Sequence, residues 1–226
     1  MGSLKHHQHL LFDGTFLHKP LSIVALMDGE TNTVIAGKYG VAENSNEQLR
    51  GFFQPLIDRG LDPESCTTDG NSNVIRTLRA LWPGITAQRC LVHIQRQGLS
   101  WCRLSPKTAY GRDLRVLFCG LTNIDTEDER DSFIVEFLYW EKIFGEIIKL
   151  RKERGKVFSD IKRARSLIIN ALPDMFHYLD NPRIPRSTNG LEGYFSRLKP
   201  HYGQHRGLIP KKRANYFAWY FHFKPK

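Results

Sequence analysis

Strand-type apolar runs fill roughly the first hundred residues of this chain, and about the next eighty carry none. His9 to Phe16, Leu21 to Met27 and Thr33 to Val41 alternate with turn signals, with Asp28-Gly29-Glu30 and Asn32 between the second and third. That spacing predicts a three-stranded antiparallel meander. The period then changes. Asn44-Ser45-Asn46-Glu47 reads as a helix start, with Leu49, Phe52, Phe53, Leu56 and Ile57 on one face. A short strand at Ser65 to Thr68 and a helix over Ser72 to Leu81 follow, the helix stopped by Pro83-Gly84. Thr86 to Ile94 is expected to form a further strand. Meander strands followed by alternating helix and strand predict an α/β fold, a mixed sheet with flanking helices.

From about Trp101 to Tyr178 the pattern is helical. Thr126 and Glu129 have capping-box spacing. Glu127, Asp128 and Glu129 at one end, and Lys149, Arg151, Lys152 and Arg154 at the other, suit the helix dipole. Phe133, Phe137, Trp140, Phe144, Ile147 and Ile148 recur between them, predicting a helix of about 28 residues that stops at Gly155. Another helix is expected over about 159–171. The domain expectation is a core first part at 1–100, an all-helical insertion at 101–180, and a final core part at 181–226 with a late helix and a basic, aromatic end.

Composition excludes some classes. With 33 Lys+Arg against 23 Asp+Glu the net charge is +10, which suits a polyanionic partner. No apolar run approaches the roughly 20 residues of a membrane helix, and no secretory signal opens the chain. A cytoplasmic protein without a membrane partner is expected, nucleoid-associated if prokaryotic. The four cysteines, Cys66, Cys90, Cys102 and Cys119, are expected as reduced thiols. His6, His7 and His9 are expected to fray and to do nothing.

Three carboxylates stand out. Asp13 interrupts an apolar strand, where a charge is costly without a partner or a metal. Asp69 ends a strand before Gly70, and such strand ends border ligand crevices in open α/β sheets. Glu192 lies on a predicted helix, Asn189 to Lys199, whose apolar face is Leu191, Phe195 and Leu198. Each has a plain alternative. Asp13-Gly14 and Asp69-Gly70 could be turns, Asp69 could cap the next helix, and Asn189 to Glu192 has capping-box spacing. Together they could converge on hard cations.

The strings FDGTF (Phe12 to Phe16), TTDGN (Thr67 to Asn71), CLVH (Cys90 to His93) and STNGLEGYFSRLK (Ser187 to Lys199) resemble the mutator-type transposases. These comprise bacterial insertion-sequence enzymes and eukaryotic Mutator-like elements. The family pattern has an Asp on the first strand, an Asp after the fourth, a Cys-x-x-His soon after, a helical insertion and a Glu in a T-N-x-x-E context. The resemblance implies an RNase H-like fold, with the all-α insertion before the last catalytic helix. It also implies a DDE transposase that nicks DNA and transfers strands. Asp13, Asp69 and Glu192 would then hold two Mg²⁺ (or Mn²⁺) ions. DNA would be the partner, as transposon ends and target, and the enzyme a homo-oligomer, dimer or larger. Family members usually carry an N-terminal DNA-binding region, so this chain is also expected to be a truncated product, a fragment or half of a split gene.

Further expectations concern contacts. Glu192, Ser196 and Lys199 form one helix stripe, so Lys199 is a candidate phosphate contact, with Arg186, Asn189 and Arg197 nearby. Lys211, Lys212 and Arg213 are candidate DNA contacts that could equally form a solvated surface. The aromatic stretch after them is expected to pack in the core. On a strand, Cys90 and His93 would point to opposite faces, which opposes a shared zinc ion. Cys90 is therefore expected in the core and His93 on the active-site side, as accessory residues. Competing functions are a catalytically silent remnant that only binds DNA, and another RNase H-like nuclease.

Overall fold

The computed structural model describes residues 3–19, 21–150, 156–205 and 207–226. The chain divides into two compact units, Met1–Cys90 with Asn181–Lys226, and Leu91–Asp180.

The first unit is built on a five-stranded mixed sheet. Its strands are β1 (His9–His18), β2 (Leu21–Asp28), β3 (Val34–Val41), β4 (Ser65–Thr68) and β5 (Thr86–Arg89), in the order β3-β2-β1-β4-β5. The first three strands form the antiparallel meander that the turn signals predict. β4 runs parallel to β1, and β5 parallel to β4. Helices α1 (Asn46–Ile57) and α2 (Ser72–Leu81) supply the crossovers. α1 starts at the signal read from the sequence, and α2 is capped by Asn71. Ser45 Oγ accepts from the Gln48 amide at 3.3 Å, and Asn71 Oδ1 from the Asn73 amide at 3.0 Å.

Two cores follow from the period-2 alternation of the strands. On one face Leu10, Phe12, Val24, Leu26 and Cys66 pack with Leu49, Phe52 and Phe53 of α1 and Val74 and Leu78 of α2. Phe53 is fully buried between Phe12 and Trp82, with ring centroids at 5.3 and 5.6 Å. On the other face Leu11, Ile23, Ala25 and Met27 pack against α8 (Asn189–Gly203) and α9 (Pro210–Phe223). Phe217, Tyr220 and Phe221 of α9 are buried there, so part of the terminal aromatic stretch does pack in the core.

The amino-terminal histidines differ from expectation. β1 begins at His9, whose ring is 1% exposed with Nδ1 2.9 Å from Ser65 Oγ. His7 Nδ1 lies 2.7 Å from Asp28 Oδ2. Asp28 also accepts bonds from the Thr31 amide and hydroxyl, at 2.7 and 2.9 Å. Burial works to raise the Asp28 carboxyl, but the bonds from His7 and Thr31 outweigh it and hold it below the usual range. These histidines secure the entry to β1.

The second unit is helical: α3 (Leu91–Cys102), α4 (Ala109–Gly120), α5 (Glu127–Leu150), α6 (Lys156–Ala171) and the single turn α7 (His177–Asp180). The box at Thr126 forms as predicted. Glu129 N donates to Thr126 Oγ1 at 3.2 Å, and Glu129 Oε2 accepts from the amides of Asp125 and Thr126 at 2.7 and 3.0 Å. Arg151, Lys152, Arg154 and the expected stop at Gly155 lie outside the described residues. Phe133, Phe137, Trp140 and Ile148 are buried, whereas Ile147 is exposed and Phe144 half-buried. Trp140 Nε1 donates to the Tyr110 carbonyl at 2.9 Å, and Arg165 grips Glu141 through two nitrogens.

One predicted strand is corrected. Thr86 to Ile94 does not run on as a strand: β5 ends at Arg89 and α3 begins at Leu91. The run Cys90-Leu91-Val92 is short and apolar, and periodicity alone does not separate strand from helix over such a length. Leu91, Ile94, Gly98 and Cys102 line the buried side of α3, a helical spacing. Among the described residues, no helix is long and apolar enough to cross a membrane.

Candidate functional site

The candidate residues lie in the middle of β1, at the carboxyl ends of β4 and β5, and on α8, all in the first unit. Leu11 on β1 lies opposite Thr67 on the parallel neighbour β4. The paired register ends there: Asp13 lies two residues farther along β1, and Asp69 follows the last residue of β4. Asp13 shares a face with Leu11, because side chains two apart on a strand point the same way. That is the face covered by α8. Asp13 is 8% exposed, and its Oδ1 accepts from the Gly14 amide at 2.8 Å. Gly14 is not a turn residue: it lies within β1, opposite Val24.

Asp69 follows the last residue of β4. Its Oδ1 accepts from the Asn71 amide at 2.9 Å and from Thr68 Oγ1 at 3.3 Å. Asn71, not Asp69, caps α2. The turn depends on Gly70, at φ +93, a region that L-residues rarely adopt.

Glu192 sits in the first turn of α8. The N-cap is Thr188, so Asn189 is the first helical residue and Asn189 to Glu192 is not a capping box. Thr188 is anchored by Cys90, the residue that follows β5. Cys90 Sγ lies 3.3 Å from Thr188 N and 3.5 Å from Thr188 Oγ1. Thr67 Oγ1 adds a bond to the Pro185 carbonyl. These contacts tie the start of α8 to β4 and β5. Glu192 is one turn beyond Thr188 and half-buried, beside the buried face formed by Leu191, Tyr194, Phe195 and Leu198. Gly190 permits the close approach, since a Cβ there would meet Asn32 Oδ1 at 2.7 Å and Met27 Sδ at 3.0 Å.

The structure thus sets Asp13 on β1, Asp69 just past the neighbouring strand β4, and Glu192 on a helix that packs on the same sheet. Among the described residues, no three His, Cys, Asp or Glu side chains are grouped closely enough to form a metal cage. Arg186, Asn189, Arg197 and Lys199 are exposed, with Arg197 Cζ 5.9 Å from the centre of the Tyr194 ring. Lys211 and Lys212 are exposed and Arg213 is half-buried, all in the first turn of α9.

Cys90 is buried, as expected, and acts as the acceptor that holds the N-cap of α8. His93 is corrected. It lies in the first turn of α3, in the helical unit, so the opposite-faces argument for a strand does not apply to the pair.

Two residues escaped the sequence reading. Glu43 lines a cavity of about 510 Å³ with Gly14, Phe16, Ala42, Asn44, Asp69 and Asn71. A Cβ on Gly14 would overlap its carboxyl group, so glycine makes the space that Glu43 occupies. Burial raises the Glu43 carboxyl and the nearby Asp69 charge raises it further, against a lowering bond from Ser22. Arg89 closes β5 at 8% exposure, and its guanidinium packs over Gly70 where a Cβ would be. A buried cation therefore adjoins the Asp69 turn. An arginine inside the run TAQRCLV was the available signal, of the same kind as Asp13 in its apolar strand. Glu43 lies in the polar loop Ala42-Glu43-Asn44-Ser45, where a carboxylate is unremarkable.

No family model matches this chain, and no curated protein matches it.

Proposed function

We propose that this protein is a DNA strand-transfer enzyme of the DDE transposase type, with an RNase H-like core and a mutator-type arrangement of motifs. One observation carries the proposal. β1, which holds Asp13, pairs in parallel with β4, which Asp69 follows, and α8, which carries Glu192, packs on the same sheet. The strand order and the helical unit between Asp69 and Glu192 support it.

The donor chemistry fits Mg²⁺ or Mn²⁺. All three candidate ligands are hard carboxylate oxygens, and Mg²⁺ takes one or two carboxylates with water and phosphate oxygens. Asp13, Asp69 and Glu192 would hold the ions. Bound there, the cations supply Lewis acidity toward the phosphodiester undergoing in-line displacement, first by water and then by a freed 3′-hydroxyl.

The rest falls to the chain itself. The Gly14 and Asn71 amides fix the rotamers of Asp13 and Asp69. Cys90 positions Glu192 by holding Thr188. Arg197 and Lys199, about one and a half and two turns beyond Glu192 on α8, reach for backbone phosphates, and Arg186 and Asn189 extend that contact. Arg89 places positive charge beside the carboxylates, which tempers their mutual repulsion before the phosphate arrives. No covalent protein intermediate is needed, so no nucleophilic side chain is required.

The test is joining of a labelled 3′-hydroxyl duplex to supercoiled plasmid with Mg²⁺ or Mn²⁺. The wild type should join the strands, and Asp13→Asn, Asp69→Asn and Glu192→Gln should each abolish joining. Undiminished joining in Asp13→Asn and Glu192→Gln would overturn the proposal. Cutting without joining would assign a nuclease instead.

A further inference from the structure

The carboxyl-terminal helix carries a feature that catalysis by the carboxylates does not use. Its inner face is buried through Phe217, Tyr220 and Phe221, yet Trp219 is 60% exposed and Phe223 is 69% exposed. The two are one turn apart, and their rings stack nearly parallel, 7° between planes with centroids at 5.3 Å. His222 packs edge-on against both, 6.2 Å from Trp219 and 4.9 Å from Phe223, and the exposed aromatic surface of this group is one that a further flat ring could extend. The support is firm. Tyr194 Oη donates to the Lys224 carbonyl at 2.8 Å, and the Val34 amide donates to the Pro225 carbonyl at 2.7 Å, so the helix end is tied to α8 and β3.

The charge around this pair is one-sided. From position 193 to 226 the sequence holds eight Lys and Arg residues and no Asp or Glu. Lys212, Asn215, Trp219, His222 and Lys226 follow one another at three- and four-residue spacing, and all are exposed. Lys211 and Lys212 also occupy the amino-terminal turn of α9, where the helix dipole disfavours cations. That placement costs stability in the free protein, and a bound polyanion would offset it. An apolar protein partner would meet this field without compensation. A duplex keeps its bases stacked on each other and offers the rings no open π-face, whereas unpaired bases do.

We propose that the exposed face of α9 is a stacking surface for unpaired DNA, with bases extending the Trp219–Phe223 stack and flanking lysines contacting phosphates. The choice of DNA over RNA rests on the proposed function, and the stacking surface itself does not.

The test uses the full chain in EDTA, so that it is independent of metal-dependent chemistry. Affinity for a labelled single-stranded oligonucleotide and for a blunt duplex of equal length is measured by fluorescence anisotropy. The double variant Trp219→Ala/Phe223→Ala should bind the single strand about tenfold or more weakly and the duplex within about twofold of wild type. Single-stranded DNA should also quench wild-type tryptophan emission, since Trp82 and Trp140 are buried and Trp101 is half-buried. An unchanged single-strand affinity, or an equal loss for the duplex, overturns the proposal. So does a wild-type oligomer that the double variant dissociates, because it assigns the rings to self-association. Failure of strand transfer with this binding result intact would sink the enzymatic reading alone.

Discussion

Replacing Gly70 by alanine should disable the site through two separable effects. The first is backbone strain. At φ +93 an alanine occupies a sparsely populated region, at a cost of about 1–3 kcal/mol. The second is collision. The new Cβ would overlap Nε, Cζ and Nη2 of Arg89, which is buried and has little room to withdraw. Forcing a buried polar group off its partners costs a further 1–3 kcal/mol or about that. Together the loss is about 2–6 kcal/mol. For a chain of this size each kcal/mol moves Tm by about 2–4 °C, so Tm should fall by roughly 4–24 °C. Thermal unfolding by circular dichroism reads the shift. A double-mutant cycle with Arg89→Ala isolates the collision. If overlap matters, the two substitutions together cost less than their sum, by about 0.5–3 kcal/mol. Additivity within about 0.5 kcal/mol would refute the collision, and a Tm within about 2 °C of wild type would refute both effects.

Three more expectations follow from the same geometry. Glu43 has a raised pKa in the fold, so the folded protein binds its proton more tightly than the unfolded chain. Stability from this group therefore falls as pH rises from the ordinary value of 4.5 through the raised one. Glu43→Gln in EDTA should raise Tm at pH 7 and not at pH 4, and the opposite ordering would refute burial as the dominant cause. Burial pushes the Cys66 thiol up to about 12, and Cys119 is exposed. Alkylation read by peptide mass spectrometry should mark Cys119 in the native protein and Cys66 only on unfolding; early labelling of Cys66 would contradict the core. Cys90→Ala removes the acceptor for Thr188, so stability should drop by about 1 kcal/mol while strand transfer slows more than Cys90→Ser slows it. Equal rates for the two variants would deny Cys90 its positioning role.

Much of the fold was legible because its signals were local. Pro83-Gly84 stops α2, though its cap is Asn71 and not Asp69, and Thr126 with Glu129 marks α5. The two-sided cores also follow from alternation, since Leu11 and Phe12 must face apart. The strand-to-helix change at Cys90 was not legible in a short window. Cys90, Leu91 and Val92 suit either state, and the deciding residues, Gly98 and Cys102, lie farther along. Asp13 announced itself as a charge among apolar neighbours. Arg89 carried the same signal, but its meaning depends on Gly70, a neighbour only once β4 and β5 pair. Glu43 gave no signal, because its role comes from the space above Gly14. The stretch Tyr216 to Phe223 read as core throughout, and composition does not say which of its rings a helix turns outward.

The claim beneath all of this is that Asp13 and Asp69, with Glu192, hold divalent cations against DNA. Mn²⁺ titrated into the protein with a short 3′-hydroxyl duplex, and followed by loss of the free-ion electron paramagnetic resonance signal, tests it directly. The wild type should take up about two ions per chain. Asp13→Asn and Asp69→Asn should lose tight binding, while Glu47→Gln, an exposed carboxylate on α1, should not. Equal uptake and affinity in the aspartate variants and the wild type would contradict the account.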